Sequence, residues 1–306
     1  MSFLEVRHVQ KIYTTRFGGT KVQALSDVNF TVEKGEYVAI MGESGSGKTT
    51  LLNILAALDK PTGGEVVLDG RALGTIPERE IAAFRRSQLG FVFQEFNLLD
   101  TFSVQDNIFL PLVLAGKAYP EMAARLAPIA RQLGIAELLQ KFPYELSGGQ
   151  KRRVAVAGVM AMKPRILVLD EPAAGLDPEG RDEILSEVKD YHKKTGTTVL
   201  LVSHSMEDIA KYADKVLVMS RKKIAMYDTV EKVFARAPEL LELGLSVPQV
   251  TKIFLKLREM GVDVPADVYT IPYAVKMILE AKRRRDAGES LVLPRADKQE
   301  GGADKC

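Results

Sequence analysis

The feature that most constrains this chain is a glycine-rich octapeptide between an apolar run and a helical period. Residues 42–49 read Gly-Glu-Ser-Gly-Ser-Gly-Lys-Thr and directly follow the apolar run Tyr37–Met41. Glycines let successive backbone N–H groups converge on an anion, and the N-terminus of the next helix adds the positive end of its dipole. In this pattern the lysine reaches the β- and γ-phosphates and the threonine hydroxyl binds Mg²⁺. The octapeptide therefore predicts a phosphate-binding loop that contains Lys48 and Thr49.

Thr50, the residue after the octapeptide, is predicted to contribute one further hydroxyl to the phosphate-binding loop. The expected phosphate-binding residues are Gly42, Glu43, Ser44, Gly45, Ser46, Gly47, Lys48, Thr49 and Thr50.

Composition excludes several other classes of protein. The 306 residues are 46% hydrophobic and 27% charged, which is ordinary for a globular protein with one large domain and an appendage. A net charge of +2 gives no reason to expect a nucleic acid or an acidic partner. The single cysteine, Cys306, rules out an internal disulfide and fits a reducing cytosol. No signal peptide is evident, and no apolar stretch approaches the ~20 residues of a membrane helix. Any membrane role is therefore expected to act through a partner.

The apolar patterning predicts an α/β fold with a parallel core sheet. Alternating runs predict antiparallel strands at Phe3–Val9, Val28–Val32 and Glu65–Leu68. Fuller apolar runs predict buried parallel strands at Tyr37–Met41, Arg165–Leu169, Thr198–Val202 and Lys215–Met219. Helical periods at Lys48–Leu58 and Pro178–Lys194 lie between strands, which is the layered pattern of an α/β domain.

Periodicity and composition also predict the domain boundaries. Residues 95–160 show only helical periodicity, so a helical subdomain is expected to interrupt the α/β body. We expect a nucleotide-binding domain over residues 1–237 and a helical C-terminal extension over 238–285. The extension contains amphipathic helices at 247–260 and 270–284. The polar, Gly-rich residues 286–306 are predicted to be a disordered tail.

An apolar strand that ends in two acidic residues is the second informative element. The run that begins at Arg165 ends in Asp170 and Glu171. Acidic strand ends are common, but beside a phosphate loop the first carboxylate is placed to hold Mg²⁺ through water. The second is placed to polarise an attacking water. Together with the loop, the pair predicts nucleotide hydrolysis with Glu171 as the base.

The segment Leu146-Ser-Gly-Gly-Gln is a second predicted anion site, at the start of a helix. Two phosphate sites flank one helical insert, which makes sense if two chains each complete the other's nucleotide site. The expected contacts in trans are Ser147, Gly148, Gly149 and Gln150.

This segment, between a phosphate loop and an Asp-Glu strand, closely resembles the signature of the ATP-binding cassette (ABC) ATPases. The resemblance covers residues 1–235. It implies a P-loop NTPase fold with a parallel core sheet, an antiparallel β subdomain and a helical subdomain. It also implies ATP and Mg²⁺ as cofactors, and ATP hydrolysis coupled to transmembrane transport. Two ATPase subunits, identical or related, are expected to hold two ATP molecules between facing loops.

Further positions match the ABC pattern in order along the chain. Gln94 resembles the glutamine that senses Mg²⁺ and the attacking water, and His204 the histidine that contacts the γ-phosphate. The expected catalytic residues are thus Glu171, His204 and Gln94, and the expected metal contacts are Thr49, Gln94 and Asp170. Tyr13 matches the aromatic residue that stacks on adenine, although an ordinary core tyrosine remains an alternative. Asp177 matches the loop that communicates across the dimer.

The two parts of the chain resemble different transporters. Residues up to Pro143 are similar to antibiotic-peptide and macrolide exporter ATPases, as in Ser103-Val-Gln-Asp-Asn-Ile-Phe-Leu-Pro-Leu. From Ser147 onward the chain resembles the energy-coupling factor (ECF) ATPases of micronutrient uptake, as in Leu243-Gly-Leu-Ser-Val-Pro-Gln-Val. Because the resemblance changes between residues 143 and 147, the sequence is compatible with a natural hybrid of these two ABC branches. Exporters of this branch generally lack the C-terminal helices, so an ECF importer is the favoured hypothesis and an exporter the alternative.

A soluble ABC ATPase that acts on ribosomes or DNA belongs to another functional class and is the remaining alternative. Ribosome-acting members usually carry two cassettes, whereas this chain has one. Chromosome-type members insert a long coiled coil before the signature, and the interval from Thr49 to Leu146 has no sustained heptads. The expected partners are therefore a second ATPase subunit and a membrane-spanning permease or coupling subunit, with no nucleic acid. The expected location is peripheral, on the cytoplasmic face of the cell membrane.

Overall fold

The computed structural model describes residues 2–14, 19–93 and 95–288. Its strands are β1 (Leu4–Thr14), β2 (Lys21–Val32), β3 (Tyr37–Gly42), β4 (Gly63–Leu68), β5 (Arg71–Ala72), β6 (Leu89–Val92), β7 (Ile166–Asp170), β8 (Thr198–Val202), β9 (Lys215–Ser220) and β10 (Lys223–Thr229). Its α-helices are α1 (Lys48–Leu55), α2 (Glu78–Gln88), α3 (Val104–Leu114), α4 (Tyr119–Gln132), α5 (Gly148–Met162), α6 (Pro178–Thr195), α7 (Met206–Tyr212), α8 (Val230–Ala235), α9 (Ala237–Glu242), α10 (Gln249–Glu259) and α11 (Ile271–Asp286).

The central sheet determines where the functional loops meet. Its order is β10-β9-β3-β8-β7-β6, with five parallel strands and an antiparallel β10 at one edge. In the register, Ile40 pairs with Val202 and Val202 pairs with Asp170, so β8 and β7 end at the same level and β3 ends two residues beyond it. The loops after these three adjacent strands therefore lie side by side. In open α/β sheets, ligands bind at this carboxyl edge.

Both faces of the central sheet are buried, which explains why its strands are apolar throughout. Leu167 and Leu169 pack with helices α3–α6, whereas Val168 packs with the antiparallel sheet and α1. Successive side chains of a strand point to opposite faces, so each strand contributes to both cores. Full burial of one such aliphatic side chain stabilises the fold by about 1.5–3 kcal/mol. The predicted parallel core sheet is confirmed.

The other predicted layers are also present. The second sheet has the order β2-β1-β4-β5 and is antiparallel. Helices α3, α4 and α5 lie in the region predicted to be a helical subdomain. Strand β1 continues to Thr14, beyond the predicted Val9, because shifts of register let it stay paired with β2. The architecture is that of a P-loop NTPase with a β subdomain, as the resemblance implied.

Helix α1 is shorter than the sequence predicted. The prediction extended it to Leu58, but the helix ends at Leu55. Ala57 adopts a left-handed conformation with φ 53°, and the N–H of Leu58 donates to the carbonyl of Asn53. This is the Schellman pattern that terminates many helices, here without the usual glycine.

The C-terminal helices form a small core of their own. Phe254 of α10 and Ala274 of α11 pack with Val264 and Val268 from the intervening segment. The hydroxyl of Thr251, which is fully buried, donates to the carbonyl of Val268 at 2.7 Å. Residues 238–247 instead contribute to a core cluster that includes strand β3. The predicted domain boundary at 237/238 remains a prediction.

The described part of the chain ends shortly after helix α11. Helix α11 extends to Asp286, one residue into the predicted tail, and residues 289–306 lie outside the described residues. Within residues 2–14, 19–93 and 95–288, no helix combines the length and apolar character that a membrane span requires.

Candidate functional site

The phosphate loop packs so closely against its neighbours that two of its glycines tolerate no side chain. A Cβ on Gly42 would lie 2.3 Å from the carbonyl oxygen of Met219. Gly47 has φ 102°, and a Cβ there would lie 2.6 Å from the carbonyl oxygen of Ala24. The loop therefore joins β3 to α1 with its backbone pressed against β2 and β9. This geometry leaves main-chain N–H groups at the start of α1, which suits an anionic ligand.

Polar groups of the loop provide the donors that a phosphate requires. Lys48 Nζ donates to the carbonyl oxygens of Gly42, at 2.7 Å, and of Glu43, at 3.0 Å, so its ammonium lies across the loop. Burial lowers the pKa of Lys48, and the charges of Glu171 and Asp170 act in the opposite direction. The hydroxyl of Ser46 is buried and has no hydrogen-bond partner among the described residues. A buried unpaired hydroxyl is costly, which fits a loop built for a ligand.

A cleft of about 360 Å³ opens beside this loop. It brings together residues from the ends of β3, β7 and β8 and from strand β2. Its lining comprises Val22, Gln23, Ala24, Ser44, Gly45, Gly47, Lys48, Thr49, Thr50, Asp170, Glu171, Val202, His204 and Lys222. We refer to it as the phosphate-loop cleft.

Glu171 and His204 face each other in this cleft. Glu171 Oε1 lies 3.4 Å from His204 Nε2, and the two side chains are 15% and 66% exposed. Glu171 Oε1 is buried without a hydrogen-bond partner among the described residues. The two residues follow β7 and β8, which are neighbours in the sheet. The strand order, which the sequence does not reveal, is what brings them together.

Burial shifts the pKa values of two carboxyl groups and one imidazole in the cleft. Burial raises the pKa of Glu171 to about 7; the backbone N–H of His204 opposes this rise and the charge of Asp170 adds to it. Burial also raises the pKa of Asp170, against the attraction of Lys48. The pKa of His204 is lowered by burial and by the charge of Lys48. A carboxylate with a pKa near the working pH is well matched to act as a general base.

The donor set for Mg²⁺ is present in the same cleft. Thr49 contributes a hydroxyl and Asp170 a carboxylate, and hard oxygen donors of this kind suit Mg²⁺. The third predicted metal contact, Gln94, lies outside the described residues, so its catalytic and metal roles remain predictions.

Tyr13, the predicted adenine-stacking residue, is held by a small polar network. Its hydroxyl donates to Asp59 Oδ2 at 2.8 Å, and Asp59 Oδ1 accepts from Lys11 Nζ at 2.5 Å. Lys11 Nζ also lies 4.9 Å from the centroid of the tyrosine ring. The Tyr13 side chain is 42% exposed, so it is not a core tyrosine. Asp59 follows α1, so the network ties the ring to the helix that begins at the phosphate loop.

The signature segment does not reach the phosphate-loop cleft of its own chain. Ser147 is the N-cap of α5: its hydroxyl accepts from the N–H of Gln150 at 3.3 Å, and the Gln150 side chain accepts from the N–H of Ser147 at 3.0 Å. This capping box stabilises a helix start that has no acidic residue in its first turn. None of the described residues that line the cleft comes from residues 146–150.

Asp177 has a local structural contact as well as its predicted role at the dimer. Its Oδ1 accepts from the N–H of Gly180 at 2.8 Å and caps helix α6. Its neighbour Leu176 lies against the signature, since a Cβ on Gly149 would be 3.3 Å from the Leu176 side chain. The two segments predicted to act across the dimer are therefore adjacent.

Several residues at the site were not found from the sequence. Gln23 and Lys222 line the cleft from β2 and from the turn between β9 and β10. Asp59 and Arg152 contact site residues through side chains. Arg152 lies two residues after the signature segment, but no pattern indicates its contact, and only the tertiary packing shows the contacts of these four residues.

Comparison with known proteins places this site in a family. A family model described as ABC transporter matches residues 25–174, from β2 to just beyond Glu171. A model described as an AAA domain, putative AbiEii toxin, Type IV TA system, also matches, over residues 142–208.

Two similar relatives are the energy-coupling factor transporter ATP-binding proteins EcfA2 of two bacteria. That of Caldanaerobacter subterraneus subsp. tengcongensis is 44% identical over 284 residues, which cover 92% of this chain and 98% of the relative. The EcfA2 of Acetivibrio thermocellus is 43% identical over 265 residues, which cover 86% of this chain and 92% of the relative.

Solved structures with the same architecture are ABC cassettes. The ATP-binding cassette MJ0796, in a dimeric post-hydrolysis state bound to ADP and Pi, is 32% identical with a TM-score of 0.69. The match covers 74% of this chain and 98% of that one. The cbiO1 of Clostridium perfringens, part of the ABC transporter complex cbiONQ, is 31% identical with a TM-score of 0.70, covering 85% and 97%. The chain therefore belongs to the ABC transporter ATPases, within the family of energy-coupling factor transporter ATP-binding proteins.

Proposed function

We propose that this chain hydrolyses ATP to power an ECF-type transporter that takes up a micronutrient. The observation that carries the proposal is the extent of the match to EcfA2. The match spans 284 residues, whereas the predicted nucleotide-binding domain has 237. It therefore includes part of the C-terminal extension as well as the cassette. The MJ0796 cassette, in contrast, covers 74% of the chain. The EcfA2 match also extends across residues 143–147, where the resemblance to exporters ends.

The site residues have complementary roles in this proposal. Lys48 and the N–H groups of the phosphate loop bind the β- and γ-phosphates of ATP. Thr49 directly, and Asp170 through water, would hold Mg²⁺, which offsets charge on the same phosphates. Glu171 accepts a proton from the attacking water, and His204, 3.4 Å from it, contacts the γ-phosphate. Catalysis of this kind consists mostly of positioning and charge stabilisation.

A second ATPase subunit completes the site. The signature segment presents the N-terminus of α5, away from the cleft of its own chain, and a helix N-terminus favours anions. In a head-to-tail pair this segment covers the ATP bound by the facing subunit. Closure on ATP and opening after hydrolysis form a two-state change that ATP biases. A membrane-spanning subunit converts that change into transport, which places the chain at the cytoplasmic face of the membrane.

Two experiments test the proposal. Purified protein with MgATP is expected to release phosphate, and Glu171→Gln is expected to bind ATP without turnover. Near-normal hydrolysis by that variant would remove Glu171 as the base.

The type of transporter is tested by capturing the full chain from membranes and measuring the mass of the membrane-spanning protein that copurifies. A coupling subunit of an uptake complex supports the proposal. An exporter permease, or the absence of any membrane protein, contradicts it.

A further inference from the structure

Arg152 is a buried cation that none of the proposed roles uses. It lies on α5, five residues after Ser147, and is 5% exposed. Its neighbour Arg153 instead forms an ion pair with Glu183. No ion pair with a carboxylate is found for Arg152 among the residues that the structure describes. A buried charge requires strong polar or aromatic partners, so the contacts of this guanidinium are informative.

Those contacts join three segments of the nucleotide site. Arg152 Nη1 donates to the main-chain carbonyl oxygen of Glu171 at 2.5 Å. The guanidinium carbon lies 5.0 Å from the centroid of the Phe96 ring, in the range of a cation–π contact. Phe96 comes two residues after Gln94 in the sequence. The side chain thus connects the helix that begins at the signature to Glu171 and to the segment that follows β6.

The backbone of Glu171 depends on such support. Its φ is 51°, a left-handed conformation that costs energy for a residue with a side chain. The N–H of Glu171 donates to the carbonyl of Val202 at 3.1 Å, and its carbonyl accepts from Arg152. These two bonds hold the peptide groups on both sides of the strained residue. The direction of the Glu171 carboxylate follows from that backbone.

We propose that Arg152 is a positioning residue for ATP hydrolysis. It fixes the main chain of Glu171 so that the carboxylate faces the γ-phosphate, and it makes that placement depend on the position of α5. A shift of the signature helix on pairing is thereby transmitted to the base of the same chain. This inference rests on the proposed role of Glu171 and goes beyond it. It assigns a structural link between the signature helix α5 and the catalytic base Glu171 within one subunit.

The test compares Arg152→Gln with the matched variant Arg153→Gln, in the full chain with the subunits that copurify. Steady-state ATPase gives kcat and KM, and a fluorescent ATP analogue gives nucleotide affinity. Loss of one charge-assisted hydrogen bond is expected to lower kcat about tenfold in Arg152→Gln. KM and affinity are expected to change less than about twofold, since the phosphate contacts are untouched. Arg153→Gln is expected to keep kcat within about twofold.

Two further variants separate positioning from mere stability. Arg152→Lys retains a donor for the same carbonyl and is expected to recover part of kcat. Phe96→Leu removes only the ring contact, is expected to lower kcat by less, and gives a second readout should Arg152→Gln fail to fold. A role confined to stability would lower the melting temperature and leave kcat per folded molecule unchanged.

The outcomes distinguish this inference from the proposed function. Wild-type kcat per folded molecule in Arg152→Gln (or in Phe96→Leu, should Arg152→Gln fail to fold), or equal losses in Arg152→Gln and Arg153→Gln, would overturn it even if Glu171→Gln is inactive. Absence of ATPase activity in the wild-type protein would instead overturn the proposed function itself.

Discussion

Replacing Glu171 by Gln is expected to stabilise the nucleotide-free protein at pH 8 and to stabilise it less at pH 5. Burial raises the pKa of Glu171 from 4.5 to about 7, so the folded protein holds this proton more tightly than the unfolded chain. Stability therefore falls as the pH rises from about 4.5 to 7, and the full penalty is present above 7. At about 1.36 kcal/mol per pKa unit, the penalty is at most about 3.4 kcal/mol.

Solvent access reduces this value. With 15% of the side chain exposed, we expect a penalty of about 2 kcal/mol at pH 8. About two fifths of that penalty, about 0.8 kcal/mol, remains at pH 5, because the unfolded carboxyl is already largely ionised there. Gln carries no charge at either pH, so the gain from the substitution should differ by about 1.2 kcal/mol between the two pH values. For a protein of this size, that corresponds to about 2 °C in melting temperature.

The assay is thermal unfolding of wild type and variant at both pH values, without nucleotide and with a chelator present. Glu78→Gln is the control, because the Glu78 side chain is 82% exposed and faces Lys60 at 3.3 Å. Its effect is expected to be below about 1 kcal/mol. An equal gain in stability from Glu171→Gln at pH 5 and pH 8, or no gain at pH 8, would refute the assignment of Glu171 as a carboxylate whose pKa is raised by burial.

Three further substitutions probe the nucleotide site. Lys48→Ala is expected to weaken ATP binding at least tenfold in titration calorimetry, because it removes a charged phosphate donor; unchanged affinity would count against the phosphate loop. Gly47→Ala is expected to lower the free energy of unfolding by about 2 kcal/mol or more in urea, since its Cβ would meet the Ala24 carbonyl at 2.6 Å; Gly74→Ala, with open space around it, should be neutral. Asp59→Asn is expected to weaken ATP binding several-fold but not the binding of inorganic triphosphate, because it loosens the Tyr13 ring that we propose to stack on adenine. Equal losses for both ligands would contradict that role.

Much of the fold could be predicted because its signals are local. The phosphate loop, the buried strands and the amphipathic helices α10 and α11 follow from patterns within a few residues of each other, and the structure has helices and strands where they were predicted. Boundaries were less accurate where tertiary contacts or backbone conformation decide them. The end of α1 is an example, since the left-handed Ala57 has no glycine to mark it.

The arrangement of the candidate site depends on information that no short pattern carries. The sequence predicts strands but not that β8 lies between β3 and β7, and that order brings His204 to Glu171. Likewise, Arg152 and Arg153 are indistinguishable in the sequence. Only the orientation of α5 directs one to the Glu171 carbonyl and the other to Glu183.

The central claim is that ATP is held between the phosphate loop of one subunit and the signature of another. Disulfide cross-linking tests it most directly, in a Cys306→Ser background that carries Ser44→Cys, Ser147→Cys and Glu171→Gln. With MgATP, the account predicts that this 33.7 kDa chain is cross-linked to the facing ATPase subunit, either a second copy or a copurifying related subunit that carries the matching cysteines. The cross-linked dimer is expected to form much less without nucleotide. ATP binding without any cross-linked dimer, or the same yield with and without ATP, would contradict the account.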